Sequence, residues 1–206
     1  GPGPIRFVLN TNWHYDHVNG NELLGRAGAV IIAHENSRRR MLTEQTIPEL
    51  DPNLKIGPYP KEALPVITVR AGLTIHLNGE DIRVVHVPNA HSEGDLLFQF
   101  AKANVIQTGD LIFSSGFPFI HISAGGTLDG MIKAAEMISG LCDERTKVIP
   151  GHGPGFSPRR DCHPELACRK ASEGSQRIYT SVVLIGKLLR RDCNPFSQAR
   201  EFSWPT

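Results

Sequence analysis

Asn12-Trp13-His14-Tyr15-Asp16-His17 is the segment that most restricts what this chain can become. It follows directly on Ile5–Leu9, a β-branched and apolar run that reads as a buried strand. On an extended segment, residues two apart point to one face. Asp16 and His17 then turn about the same point as the chain enters a helix. Imidazoles and a carboxylate packed this closely are costly in a core unless a cation organises them. They suit zinc, at about 2.0–2.2 Å. They also suit iron or manganese, so the donors argue for a metal more firmly than for its identity.

Three more candidate ligands fall where strands end. His91 follows the strand Ile82–Val87, Asp110 follows Asn104–Gln107, and His152 follows Lys147–Ile149 within Pro150-Gly151-His152-Gly153-Pro154. Glycines beside them permit close backbone approach. Loops at one edge of a rigid sheet can deliver all of these side chains to a single site.

The intervening sequence alternates strand and helix signals, which predicts a mixed α/β fold. Gly20–Arg26 suits a short helix with Leu23 and Leu24 facing inward, Ala29–Ala33 a strand, and Asn36–Thr43 a helix with Arg38, Arg39 and Arg40 on a solvated face. Residues 46–65 hold five prolines and read as a long irregular connection. Asn78-Gly79, between Leu73–Leu77 and Ile82–Val87, is a strong hairpin signal. Leu96–Phe100 is a further strand, and Leu128–Leu141 has helical spacing with Thr127 as its N-cap.

With 206 residues, 40% hydrophobic and 21% charged, the chain can bury one ordinary core. A net charge of +1 gives no surface for tracking phosphates, and no apolar run reaches the roughly 20 residues of a membrane helix. The expected partner is therefore a small-molecule substrate, with neither nucleic acid nor membrane. The charge is uneven: residues 1–154 carry net −3 and residues 155–206 net +4. Three of the four cysteines, Cys162, Cys168 and Cys193, lie in that second segment, where periodicity is weak. A disulfide there is open, with free thiols preferred. Residues 1–154 are read as a hydrolase-like domain and 155–206 as a divergent tail; a shifted reading frame would account for the tail. Ser181–Leu189 within it reads as either strand or helix.

From Ile5 to about Pro154 the chain resembles the metallo-β-lactamase superfamily of metallohydrolases, whose motif is His-x-His-x-Asp-His, then a distant His, an Asp in a Thr-Gly-Asp-like turn and a final His. Asn12, His14, Asp16, His17, His91, Asp110 and His152 fill those positions. The resemblance implies an α/β fold of the αββα sandwich type. It implies one metal site at Asn12, His14 and His91, a second at Asp16, His17 and His152, and Asp110 between them. It further implies a zinc-dependent hydrolase in which a metal-bound hydroxide, available because zinc brings the pKa of its water to about 7, attacks a carbonyl. Asp16 and Asp110 are its catalytic carboxylates, Asp16 orienting the hydroxide.

Two departures matter. Asn12 stands where the family has His, so one or two zinc ions are expected, with the Asn12, His14, His91 site the weaker. Only residues 1–11 precede Asn12, so the family's first strands are expected to be missing, leaving a sheet edge through which a homodimer could form. The leading functional reading is β-lactamase-like cleavage of a lactam, amide or ester. The alternatives are a thioester hydrolase like glyoxalase II, and a truncated family member that binds metal without turnover.

Other residues receive plainer expectations. His34 caps a helix, His76 is structural, and His86 is a strand residue with a local hydrogen bond. His121 lies on a loop that frames the pocket in the family and is a candidate substrate contact. Glu93 and Asp95 either hold the His91 imidazole or are solvated loop charges. Trp13, Tyr15, Phe113, Phe117 and Phe119 either rim the site or plug the core.

Overall fold

The computed structural model describes residues 3–158. The expectations for Ser181–Leu189, the three distal cysteines and the rest of the tail past Pro158 lie outside the described residues.

The chain runs β1 (Phe7–Leu9), α1 (Tyr15–Val18), α2 (Asn21–Arg26), β2 (Val30–His34), α3 (Glu35–Met41), β3 (Gln45–Ile47), β4 (Asp51–Ile56), a 3-10 turn at Lys61–Ala63 and β5 (Ile67–Val69). It continues through β6 (Gly72–Leu77), β7 (Glu80–Val87), β8 (Asp95–Phe100), β9 (Val105–Phe113), a 3-10 turn at Ile122–Ala124, α4 (Leu128–Leu141) and β10 (Lys147–His152). β1, β2 and β5 form a parallel sheet in the order β1-β2-β5. β10-β9-β8-β7-β6 form a larger one, parallel between β10 and β9 and antiparallel elsewhere.

Alternation along the central strands builds the layers. Leu96 and Phe98 of β8, with Ile82 and Val84 of β7, meet Ile32 and Val69 of the small sheet in one core. Leu97, between them in sequence, points the other way and joins Met131, Ala134, Ala135 and Ile138 of α4. Each Leu or Phe buried in this way contributes about 1.5–3 kcal/mol. The result is helix, sheet, sheet, helix: the αββα sandwich. Among the described residues no helix is long and apolar enough to cross a membrane.

Most elements stand where the sequence puts them. Asn78 and Gly79 both have positive φ (53° and 75°), the primed turn that matches strand twist. Thr127 caps α4 by accepting from the Gly130 N–H at 3.0 Å. Two readings need correction. Residues 45–56 form an antiparallel ribbon rather than an irregular connection. The ribbon has no further strands, so Pro52 can lack its N–H there, and Ile47 and Ile56 anchor it in a core with Trp13 and Met41. Leu23 is 74% exposed, because α2 turns Asn21 inward instead.

Candidate metal centre

The edge where β1, β7, β9 and β10 end and β8 begins gathers the predicted donors. Asn10 leaves β1 with its N–H on the Ile32 carbonyl, and the Thr11 carbonyl accepts from Leu96 N–H at 2.7 Å, fixing this exit to both sheets. His14 is the extended residue before α1, and Asp16 and His17 lie in its single turn. His91 sits between β7 and β8. Asp110 and His152 lie within their strands rather than in loops after them: β9 runs on to Phe113 and β10 to His152, paired to each other through register shifts at Ile149, Pro150 and His152.

These residues converge in two groups. Donor atoms of His14, His91 and Asp110 lie within 4.8 Å of one another and all three residues are buried; those of Asp16, His17 and His152 do likewise, nearer solvent. Asp110 stands between the groups. Its Oδ2 is 3.3 Å from His91 Nε2 and 3.0 Å from His17 Nε2, and its Oδ1 is 3.3 Å from His152 Nε2. Asp16 Oδ2 lies 3.3 Å from His17 Nε2 and 3.2 Å from His152 Nε2. Gly151 is required here: a Cβ at that position would lie 2.1 Å from Asp110 Oδ1.

The charges explain themselves only partly without a cation. Burial and the neighbouring imidazoles push His14 down to about 3, so it is neutral. Burial opposes the ionised Asp110, yet His17, His91 and His152 outweigh it and hold Asp110 at about 2. Burial lowers His17, but the carboxylates of Asp110 and Asp16 overcome it and carry the ring up to about 10. The proton on His17 is thus the positive charge that two carboxylates draw in, and a dication competes for that place. His17 Nε2 and Asp110 Oδ1 are buried and make no aligned hydrogen bond, close as they are to oppositely charged groups. Buried nitrogen and oxygen atoms left without aligned partners, imidazoles and ionised carboxylates around two points fit a pair of divalent ions.

Supports behind the ligands were mostly illegible in the sequence. His91 Nδ1 donates to the Phe119 carbonyl at 2.9 Å, which turns Nε2 toward Asp110 and His14. His17 Nδ1 meets Thr11 Oγ1 at 3.1 Å. Asn10 and Asn21 exchange amide hydrogen bonds at 3.0 and 2.8 Å, tying β1 to α2. Glu93 and Asp95 do not bond the His91 ring: Glu93 pairs with Arg40 at 2.8 Å, and Asp95 accepts from Ser92 N–H and Oγ, both at 2.7 Å. Burial pushes Asp95 up to about 6.

Asn12 is buried beside Asp110. Its Nδ2 donates to Asp110 Oδ2 at 2.9 Å while its Oδ1 accepts from the His14 backbone N–H at 2.9 Å. His121 is 1% exposed, with Nδ1 2.8 Å from His14 Nε2, so it backs the site instead of facing a substrate. Trp13 is fully buried and belongs to the core; Phe113 stacks on the exposed His152 ring at 4.8 Å. His34 caps α3, and His86 bonds the Glu93 carbonyl at 3.1 Å, as expected of a strand residue.

The family model for the metallo-β-lactamase superfamily matches residues 1–157. A hydroxyacylglutathione hydrolase from Pelagibacter ubique is 31% identical over 149 residues, 72% of this chain and 52% of that protein. The chain thus spans about half the length of this curated relative. Among solved structures, the BLEG-1 B3 metallo-β-lactamase is 21% identical with a TM-score of 0.63, over 79% of this chain and 78% of that one. A protein solved in a di-iron-bound form, TTHA1623, is 24% identical with a TM-score of 0.58, over 72% of this chain and 70% of that one.

Proposed function

The chain belongs to the metallo-β-lactamase superfamily, and on that premise we propose that it is a metal-dependent hydrolase of thioesters, of the glyoxalase II type. The observation that carries the hydrolase reading is the convergence of two donor groups on Asp110. The name of its 31% identical relative favours a thioester over the lactam that the sequence alone put first. Local chemistry agrees. Asp16 and Asp110 are both held below the usual carboxylate range, so neither is a ready acid for protonating a departing amide nitrogen. A thiolate, whose thiol has a pKa of about 8.5, leaves without that proton.

Zinc or iron ions, when bound, supply Lewis acidity that makes water a nucleophile near neutral pH and polarises the carbonyl. His14 and His91 would hold one ion and Asp16, His17 and His152 the other, with Asp110 shared. Asn12 keeps Asp110 in place through its amide N–H. Asp16, the carboxylate with solvent access, would accept a hydrogen bond from the attacking water and orient it. The buried side formed by His14, His91 and Asp110 excludes bulk water, so substrate approaches from the side of exposed His152.

The test is thiol release from S-lactoylglutathione beside hydrolysis of a chromogenic cephalosporin, on the zinc- and iron-loaded full chain. Thioester cleavage should be abolished by a chelator. It should fall in His152→Ala by more than the roughly 10–100-fold that groups behind metal ligands command. Cephalosporin turnover without thioester cleavage would restore the lactamase reading. A metal-loaded protein with neither activity is a binding protein only.

A further inference from the structure

We propose that Phe113 sets the plane of the His152 imidazole and so aims its Nε2 at the point shared with Asp16 and Asp110. This rests on the reading that Asp16, His17 and His152 hold an ion. Phe113 is a positioning residue, because it reaches that point only through the ring it stacks on.

His152 is held differently from its neighbours. His17 Nδ1 meets Thr11 Oγ1 at 3.1 Å, and His91 Nδ1 donates to the Phe119 carbonyl at 2.9 Å. A hydrogen bond of that kind lies near the plane of the ring and fixes how the ring is rotated. Among the described residues none reaches Nδ1 of His152, whose side chain is 44% exposed. Yet its Nε2 stands 3.2 Å from Asp16 Oδ2 and 3.3 Å from Asp110 Oδ1. What lies against its face is Phe113, with ring centroids 4.8 Å apart and planes within 18° of parallel. A stacked partner restrains the same rotation, since turning the imidazole about its Cβ–Cγ bond breaks the stack.

The strand register delivers Phe113 to this place. β10 and β9 run parallel, and Pro150 stands opposite Gly109. Regular pairing from there would set His152 opposite Leu111, which is 1% exposed and belongs to the core under α4. Instead two steps along β10 match four along β9, and His152 stands opposite Phe113. Extra residues in one strand re-aim side chains in this way. The slipped end is itself clamped. Ser114 N–H donates to the His152 carbonyl at 3.0 Å, and Ser114 Oγ to the Pro154 carbonyl at 2.6 Å. Gly153, with φ at 90°, passes so close that a Cβ there would lie 2.4 Å from Ser114 Oγ. Backbone bonds thus place the His152 main chain, and Phe113 places its ring.

The experiment is NMR of the metal-free, histidine-labelled full chain, then zinc titration against a competing chelator, in wild type, Phe113→Leu, Phe113→Tyr and His152→Ala. The His152 ring protons, identified by their absence in His152→Ala, should be shifted upfield in the wild type by the Phe113 ring current. The shift should persist in Phe113→Tyr and vanish in Phe113→Leu, which keeps apolar bulk without a plane. Phe113→Leu should weaken, about 3–10-fold, the same zinc equivalent that His152→Ala weakens, and leave the other unchanged. Phe113→Tyr should bind both like wild type. With cobalt in place of zinc, the visible absorption of the affected equivalent should change in Phe113→Leu and return in Phe113→Tyr, which a mere loss of stability does not predict. Unshifted His152 ring protons in the wild type overturn the proposal whether or not the variants fold. So does a folded Phe113→Leu that binds both zincs like wild type, or a Phe113→Tyr as weak as Phe113→Leu. A folded His152→Ala with unchanged zinc affinity would instead defeat the metal reading beneath the proposal.

Discussion

Asn12 Nδ2 donates to Asp110 Oδ2 at 2.9 Å across 98 positions of sequence. The amide cannot be turned the other way. Its oxygen must face the His14 N–H, and only its nitrogen can serve a carboxylate. Asn12→Ala should therefore leave a buried carboxylate oxygen without this donor. It should destabilise the metal-free protein by about 1–3 kcal/mol in urea unfolding. Asn12→His should tighten the weaker zinc equivalent, because an imidazole would add a nitrogen donor beside His14 and His91. A folded Asn12→His with unchanged zinc affinity would show that position 12 does not govern that ion.

The two donor groups should fill unequally. Asp16, His17 and His152, with Asp110 shared, offer two carboxylates; His14 and His91 offer only imidazoles and the same shared Asp110. Zinc titration of the chelator-stripped protein should resolve a tight first equivalent and a second weaker by at least about tenfold, a difference of roughly 1.4 kcal/mol. Asp16→Asn should loosen the first. Two indistinguishable equivalents would mean that carboxylate count does not set the order.

The site was legible because its donors sit in short, chemically improbable runs such as residues 12–17, and each lies in or just beyond a strand. Chemistry and period agreed, so the strands β7 and β8 and the capped helix α4 could also be placed. What the sequence hid depends on contacts between distant segments. The Phe119 carbonyl on His91 is a backbone group and carries no residue signal. Asn21 looked like an ordinary helix residue, yet its bond to Asn10 turns α2 so that Leu23 faces solvent. Five prolines argued against strands in residues 46–65, but an isolated two-stranded ribbon needs few N–H donors and accepts one.

Alanine at two glycines of α4 should have opposite effects. Glycine in a helix ordinarily costs about 0.5–1 kcal/mol relative to alanine. Gly140 has open space around it, so Gly140→Ala should gain that amount. A Cβ at Gly130 would lie 1.7 Å from the Asn89 carbonyl oxygen. That oxygen also accepts from Thr127 Oγ1 at 2.7 Å, and the loop it belongs to leads into His91. Gly130→Ala should therefore destabilise by about 1–3 kcal/mol and loosen zinc binding. Thermal melts of both variants beside the wild type read the sign directly, and a stabilised Gly130→Ala would mean that the contact relaxes without strain.

The cap of α3 should titrate. His34 Nδ1 accepts from the Asn36 N–H at 3.1 Å and Nε2 donates to the Arg70 carbonyl at 3.1 Å, with the His86 ring stacked on it at 3.8 Å. Protonation turns Nδ1 into a donor facing a donor and opens the cap. Burial lowers the His34 pKa below its ordinary 6.5; the Arg70 carbonyl pulls it back up and His86 pushes it down further. The folded state thus binds fewer protons than the unfolded chain. The stability contribution is whole above about pH 6.5 and is lost as pH falls from there through the depressed value. His34→Asn keeps a capping oxygen that does not titrate, so it should match the wild type near pH 7 to within about 1 kcal/mol. Its stability should then decline less steeply toward pH 5. His14 and His121 titrate in both proteins, so the difference between the two urea-unfolding profiles isolates the cap, and parallel profiles would mean that His34 keeps its proton state across this range.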